Sequence, residues 1–207
     1  MSLKILAIMG SPRRGGNSEL LLDAFLDGAG EGGAIVEKIP VSELEISPCT
    51  ECLECEAAGE CVIADDMAGV YPKLPAADRI VIASPIFFYG LPAGLKALID
   101  RCQALWYRRK DRGEKGVPVR PGFALLVGAT RGKKLFDGAL LTIRYFLQTI
   151  PARLAGSLVY REIEEKGEIL SRPEALEEAR QAGRVFAGCG EPSTSTSTDQ
   201  SSNKKDI

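Results

Sequence analysis

The sequence predicts an α/β domain built on a doubly wound, five-stranded parallel sheet in the order 2-1-3-4-5. Three observations carry this. Short apolar runs alternate five times with stretches of helical periodicity, the pattern of strand–helix–strand units. Most of these runs are continuously apolar, as strands covered on both faces are. The second run breaks that rule with Glu37, Lys38 and Pro40, which suits a sheet edge and so places strand 2 outside strand 1.

The elements follow in order. Residues 3–9 (LKILAIM) form the first strand, and Leu21, Leu22, Phe25 and Leu26 share one face of the helix after it. Residues 34–41 form the edge strand. A short helix starts at Asp65 or Asp66 and ends before Pro75, with the two aspartates read as cap and first-turn charge. The third strand is 79–84, followed by a helix entered near Pro92 with Leu95, Leu98, Cys102 and Leu105 on its buried face. Strands at 122–129 and 153–160 bracket a helix at 137–148, and a last helix covers 173–187. Residues 1–190 read as one domain with a cysteine-rich loop at 47–66, and residues 191–207, rich in Ser and Thr without periodicity, read as a disordered tail.

Composition narrows the chemistry. With 207 residues and 45% hydrophobic content the chain can bury a core without disulfides. The first apolar run ends at Gly10, too soon for a signal segment or a membrane span, so a cytosolic protein with no membrane partner is expected. A net charge of −2 gives no basic footprint for nucleic acid. The chain has no histidine, which excludes Ser-His-Asp and Cys-His catalysis and His-ligated metals. Redox chemistry carried by a bound cofactor needs none of these.

Three loops leave the carboxyl ends of strands and converge on the switch point of this topology. The first, GSPRRGGNS, runs into a helix N-terminus and offers Ser11, Arg13, Asn17 and Ser18 to an anion. It lacks Gly-Lys-Ser/Thr and is no dinucleotide fingerprint; Asn17 or Ser18 could equally serve as a plain helix cap. The second, Pro85, Ile86, Phe87, Phe88, Tyr89 and Gly90, can line a planar ring, although each aromatic also suits packing or a subunit contact. The third carries Thr130, Arg131 and Gly132, which can meet the polar rim of the same ring.

Cys49, Cys52, Cys55 and Cys61 follow C-x2-C-x2-C-x5-C in the loop after strand 2. Thiolates at every third position can wrap a cubane, whereas zinc more often sits between two separated knuckles. A [4Fe–4S] cluster, zinc, and unligated or reversibly oxidised thiols are the alternatives. From Ser42 to Asp66 there are eight Asp or Glu residues and no Lys or Arg, a charge that would lower a cluster's potential or merely solvate the surface. Cys102 reads as core packing, and residues 107–120 as a basic loop suited to a nucleotide phosphate, an acidic ferredoxin or plain solvent.

Taken together, GSPRRGGNS, PCTECLECEAAGECVIADDM, ASPIFFYG with LKALIDR, and GATRGKK make the chain resemble the flavodoxin-like NADPH-dependent FMN reductase family, closest to its iron–sulfur flavoprotein branch, from residue 3 to about 188. The resemblance implies FMN, with Ser11, Arg13, Asn17 and Ser18 at its phosphate, the Pro85 to Gly90 segment along the isoalloxazine and Thr130, Arg131 and Gly132 on its pyrimidine side. It implies a [4Fe–4S] cluster on the four cysteines, a donor such as NAD(P)H or ferredoxin, an acceptor the sequence does not reveal, and a homodimer or homotetramer. Ser18 and Ser84 stand where Thr is usual, and Phe87 where Tyr is frequent. The expected function is an FMN-dependent oxidoreductase or electron-transfer flavoprotein. A cluster-free NAD(P)H-dependent FMN or quinone reductase, a non-catalytic electron carrier and a thiol sensor are the rivals.

Overall fold

A computed structural model describes residues 2–111 and 119–188. The sheet has five strands, β1 (Lys4–Met9), β2 (Ile35–Pro40), β3 (Arg79–Pro85), β4 (Arg120–Val127) and β5 (Ala152–Tyr160), in the order β2-β1-β3-β4-β5, and every pairing is parallel. The expected order is the observed one. Its cause lies in β2: Ile35, Val36 and Glu37 are exposed and only Ile39 is buried, so this strand has a partner on one side alone. Pro40, which has no N–H to donate, closes it at the outer edge.

Strand pleating divides the core in two. Ile5, Ala7 and Met9 of β1, with Val81, Ala83, Leu125 and Val127, face helices α1 (Asn17–Gly30) and α8 (Pro173–Ala187). Leu6 and Ile8, with Ile80, Ile82, Ala124 and Leu126, face the other layer, which holds α5 (Ala93–Arg101), α6 (Gln103–Asp111) and α7 (Asp137–Thr149). Three shorter helices, α2 (Glu54–Ala58), α3 (Met67–Val70) and α4 (Lys73–Ala76), lie between β2 and β3.

Two elements differ from expectation. The single helix expected between Asp65 and Pro75 is two four-residue turns, α3 and α4. Pro72 and Pro75 both fall in the first turn of α4, where an N–H would have no intrahelical acceptor in any case. The helix expected through Leu105 is divided at Cys102 into α5 and α6. The Arg101 carbonyl accepts a hydrogen bond from the Tyr71 hydroxyl at 2.9 Å, and the Cys102 amide pairs with Ile99 in a tightened turn. Cys102 itself is fully buried, as expected of a core residue. The sequence-predicted tail, Cys189 and the middle of the 107–120 segment lie outside the described residues.

Helices α1 and α8 touch backbone to backbone. A Cβ on Gly28 would collide with the Arg180 carbonyl, and one on Gly183 with the Phe25 carbonyl. Around this crossing Asp27 and Glu31 pair with Arg180 and Arg184. The contact fixes the connection that precedes α8 against the start of α1. We expect Gly183→Ala to destabilise the fold by about 1–3 kcal/mol through overpacking, despite the better helix propensity of alanine, as read by chemical denaturation. A neutral or stabilised variant would show that the helices can separate freely.

Candidate functional site

The first loop turns tightly after β1. Ser11, almost fully buried, accepts a bond from the Arg13 amide at 3.1 Å, and its hydroxyl lies 3.3 Å from the Arg13 carbonyl. Gly16 then occupies the N-cap of α1 in extended conformation, with no side chain capping the helix. The alternative in which Asn17 or Ser18 is a plain cap is therefore not what the fold builds. As the first residues of a 14-residue helix, Asn17 and Ser18 keep amides for which the helix supplies no acceptor.

Those amides open into a cavity of about 160 Å³ at the carboxyl ends of β1, β3 and β4. Of the predicted contacts it gathers Ser11, Arg13, Asn17, Ser18, Pro85, Ile86 and Phe87; Ile163, Glu164 and Lys166 from the connection after β5 join them. Sequence reading missed that connection, because its residues stand about 150 positions from the loop they meet.

Phe88, Tyr89 and Gly90 continue past the cavity rim. Phe87 and Gly90 exchange backbone bonds at 3.0 and 2.9 Å around a two-residue turn, which drives Phe88 and Tyr89 to φ of 48° and 62°. Bulky residues in left-handed backbone are strained, and the turn leaves the Phe88 ring wholly in solvent. The Tyr89 hydroxyl lies 2.5 Å from where a Cβ on Gly132 would be, so the second and third loops touch at this glycine. The third loop is otherwise held from below: Arg161 donates to the Gly132 and Lys133 carbonyls at 3.2 Å and stacks on Phe136. Arg131 is 85% exposed at its side chain and paired with Glu162, so its charge is partly met already. Thr130, Arg131 and Gly132 thus stand beside the second loop and outside the residues that line the cavity.

The four cysteines line a second cavity, of about 390 Å³, with Asp100, Arg101, Gln103 and Tyr107. Cys49 and Cys52 are exposed, and Cys55 and Cys61 are half-buried. Glu51 and Leu53, at φ of 54° and 64°, kink the chain on either side of Cys52. Among the described residues no three Cys, Asp or Glu side chains are drawn together around one ion position. Four thiols around one roomy hollow nonetheless form a donor set suited to a cubane, which spreads its ligands further apart than a single tetrahedral ion does.

One buried cation anchors this loop. Arg101, at 1% exposure, donates from Nη1 to the Ser47 carbonyl at 3.0 Å and to Asp65 Oδ2 at 2.6 Å, and from Nη2 to the Ile63 carbonyl at 3.1 Å and Asp65 Oδ1 at 3.2 Å. Asp65 also accepts from the Ser47 and Met67 amides at 2.9 and 3.0 Å. The N-cap of α3 is Asp66; Asp65, one residue before it, takes up the Met67 amide and clamps both ends of the cysteine loop. Asp66 accepts from the Glu45 amide at 2.8 Å and so closes the base of the same loop. Arg108 adds a bond to the Gly59 carbonyl at 3.0 Å and an ion pair to Glu60. The acidic loop therefore sits on cations supplied by α5 and α6, which oppose its own charge.

Burial pushes the Cys55 thiol up, and neighbouring Cys61 adds to the rise. Burial would raise Cys61 too, but the Ile63 amide, Arg101 and Tyr71 outweigh it and leave that thiol below its ordinary value. For Asp65, burial works upward, yet bonds from Arg101, Ser47 and Met67 prevail and hold the carboxyl low. The stability this contributes is present above the unfolded carboxylate pKa of about 3.9 and is lost as pH falls through the lower folded value.

The topology and its three converging loops define a flavodoxin-like protein. The NAD(P)H:quinone oxidoreductase from Methanothermobacter marburgensis has the same fold, with a TM-score of 0.67 over 90% of this chain and 98% of that one at 18% identity. Residues 3–155 match the family described as NADPH-dependent FMN reductase. An iron-sulfur flavoprotein of Methanosarcina thermophila is 42% identical over 129 residues, 62% of this chain and 65% of that protein. Another, of Archaeoglobus fulgidus, is 36% identical over 151 residues, 71% of this chain and 74% of that protein. The chain belongs to the NADPH-dependent FMN reductase family, in its iron–sulfur flavoprotein branch. It matches just under two thirds of the length of the Methanosarcina relative.

Because Arg101 is buried and the half-buried Asp65 keeps its side chain only 9% exposed, removing the carboxylate charge strands the guanidinium. We expect Asp65→Asn to cost about 3–5 kcal/mol in denaturant unfolding and to expose residues 47–66 to limited proteolysis before the rest of the chain. Wild-type protein should lose the same protection as pH drops below about 4. Unchanged proteolysis in the variant would mean that the clamp is dispensable.

Proposed function

We propose that this chain is an FMN-dependent oxidoreductase of the electron-transfer type, with a [4Fe–4S] cluster on Cys49, Cys52, Cys55 and Cys61. The observation that carries the reading is the cavity where the uncapped N-terminus of α1, the Arg13 side chain and the apolar Pro85–Phe87 segment meet at the carboxyl edge of the sheet. A phosphate fits the first two and an apolar ring the third. When bound, the flavin accepts a hydride or single electrons and the cluster exchanges single electrons.

The chain's own residues bind, orient and shield. Ser11, Arg13, Asn17 and Ser18 form the phosphate end. Pro85, Ile86 and Phe87 flank the ring, held in place by the bond from the Ile86 amide to the Val127 carbonyl at 2.9 Å. Phe88, Tyr89, Gly90, Thr130, Arg131 and Gly132 border its outer side. Without a histidine, no imidazole is available to move protons. Electrons enter from NAD(P)H or a ferredoxin and leave to a small-molecule or protein acceptor. No helix among the described residues is long and apolar enough to cross a membrane, in keeping with a cytoplasmic setting. The exposed Phe88 precedes Tyr89, whose carbonyl lies beside Gly138 at the start of α7, and Leu141 and Tyr145 of that helix are also exposed, which supports assembly as a homodimer or homotetramer. A cluster-free reductase is the second reading, favoured by the description of the family as NADPH-dependent.

Anaerobic purification followed by a visible spectrum and iron and sulfide analysis tests both cofactors. We expect flavin together with about four irons per chain, and Cys52→Ser to lose the iron while keeping the flavin. Flavin without iron, with turnover by NADPH, would select the cluster-free reductase; absence of flavin would sink the whole reading.

A further inference from the structure

We infer that Lys166 is the second cation on the cofactor phosphate, and that the Asn17 side chain serves to hold it there. The inference deepens the FMN reading and rests on it. Lys166 belongs to the connection between β5 and α8, yet it lines the same cavity as Ser11, Arg13, Gly16 and Ser18. A Cβ built on Gly15 would lie 3.6 Å from Lys166 Cε and 3.8 Å from Nζ, so the ammonium hangs over the phosphate loop.

The neighbouring charges leave it free for a ligand. Glu19, the nearest acid of the loop, accepts the Gly15 amide at 2.6 Å and pairs with Lys38 at 3.0 Å and Arg14 at 3.6 Å. Arg14 is further tied to Glu43 at 2.7 Å. Glu168 accepts the Glu164 and Glu165 amides at 2.7 and 2.9 Å. Among the described residues, Arg13 and Lys166 are thus the cations at this loop with no carboxylate partner. They match a phosphate monoester, which carries nearly two negative charges at neutral pH and which one cation plus a helix terminus would meet only in part. Glu164 lines the cavity as well; as an acceptor it suits a hydroxyl of the ribityl arm and not a phosphate oxygen.

Asn17 is committed to placing Lys166. Its Nδ2 donates to the Glu165 carbonyl at 2.8 Å and its Oδ1 accepts from the Ile169 amide at 3.1 Å, so the carboxamide brackets Lys166 by its backbone on both sides. Ile163 and Ile169, both buried, seat the ends of that segment on the core. Asn17 therefore acts on the phosphate through its amide N–H and through Lys166, with its side chain spent on the connection.

The test is titration of the apo full-length chain with FMN and with riboflavin, which lacks the phosphate, at two salt concentrations. Wild type should prefer FMN. Lys166→Gln should lose about tenfold or more in FMN affinity with riboflavin affinity unchanged, and its FMN affinity should fall less steeply with salt. Lys166→Arg should restore most of the preference. Asn17→Ala should lower the FMN:riboflavin ratio, and adding Lys166→Gln to it should cost little more, because both changes remove one contact. A Lys166→Gln variant that keeps the wild-type ratio overturns the inference and leaves the FMN reading intact. Wild-type protein that binds FMN no better than riboflavin overturns both.

Discussion

The cysteine loop owes its shape to a single buried ion pair. Asp65 and Arg101 sit on different elements, 36 positions apart, and meet where neither has much access to water. A buried pair of this kind gains little over two apolar residues, since desolvation offsets much of the attraction. What it does is specify. The guanidinium has donors left over after the carboxylate is satisfied, and it places them on the carbonyls of Ser47 and Ile63, one on each side of the four thiols. Only Nε remains without a partner among the described residues. A stretch with few apolar residues thereby acquires a fixed exit and re-entry point, and α5, which follows the loop after β3, becomes its base.

This arrangement couples the two cavities through one short helix. Helix α5 begins just after the Pro85–Gly90 segment and ends on Arg101, so the element that receives the aromatic loop at one end grips the cysteine loop at the other. A rigid α5 gives the two cavities a constant relative position. The Cys102 kink, with Tyr71 drawing the Arg101 carbonyl aside, ends the helix where the grip is needed.

The fold was legible in the chain because burial on both sheet faces writes itself as unbroken apolar runs, and because Glu37, Lys38 and Pro40 mark an edge. The turn after β1 was legible for a local reason: strand, turn and helix are consecutive in sequence. The cysteines were legible by spacing. Hidden were the contacts that join distant residues. Asp65 and Asp66 read as a helix cap and a first-turn charge; the cap is Asp66, and the bond of Asp65 to Arg101 depends on how α5 crosses the loop. Asn17 read as a phosphate ligand, whereas its carboxamide faces residues 165–169 only because Gly28 and Gly183 let α1 and α8 close up. Arg131 read as a contact for the polar rim of a ring, and Glu162, in left-handed backbone on the neighbouring loop, meets it. No periodicity reports any of these.

The order of synthesis gives the α1–α8 contact a last meaning. Helix α1 leaves the ribosome early, with its uncapped end already formed in principle, but the segment that completes the pocket is secured only when residues 173–187 have emerged and docked. A nascent chain stalled before that point has the first half of the cradle and nothing to close it. The pocket is therefore complete, as described, only after residues 163–187 have been made and packed.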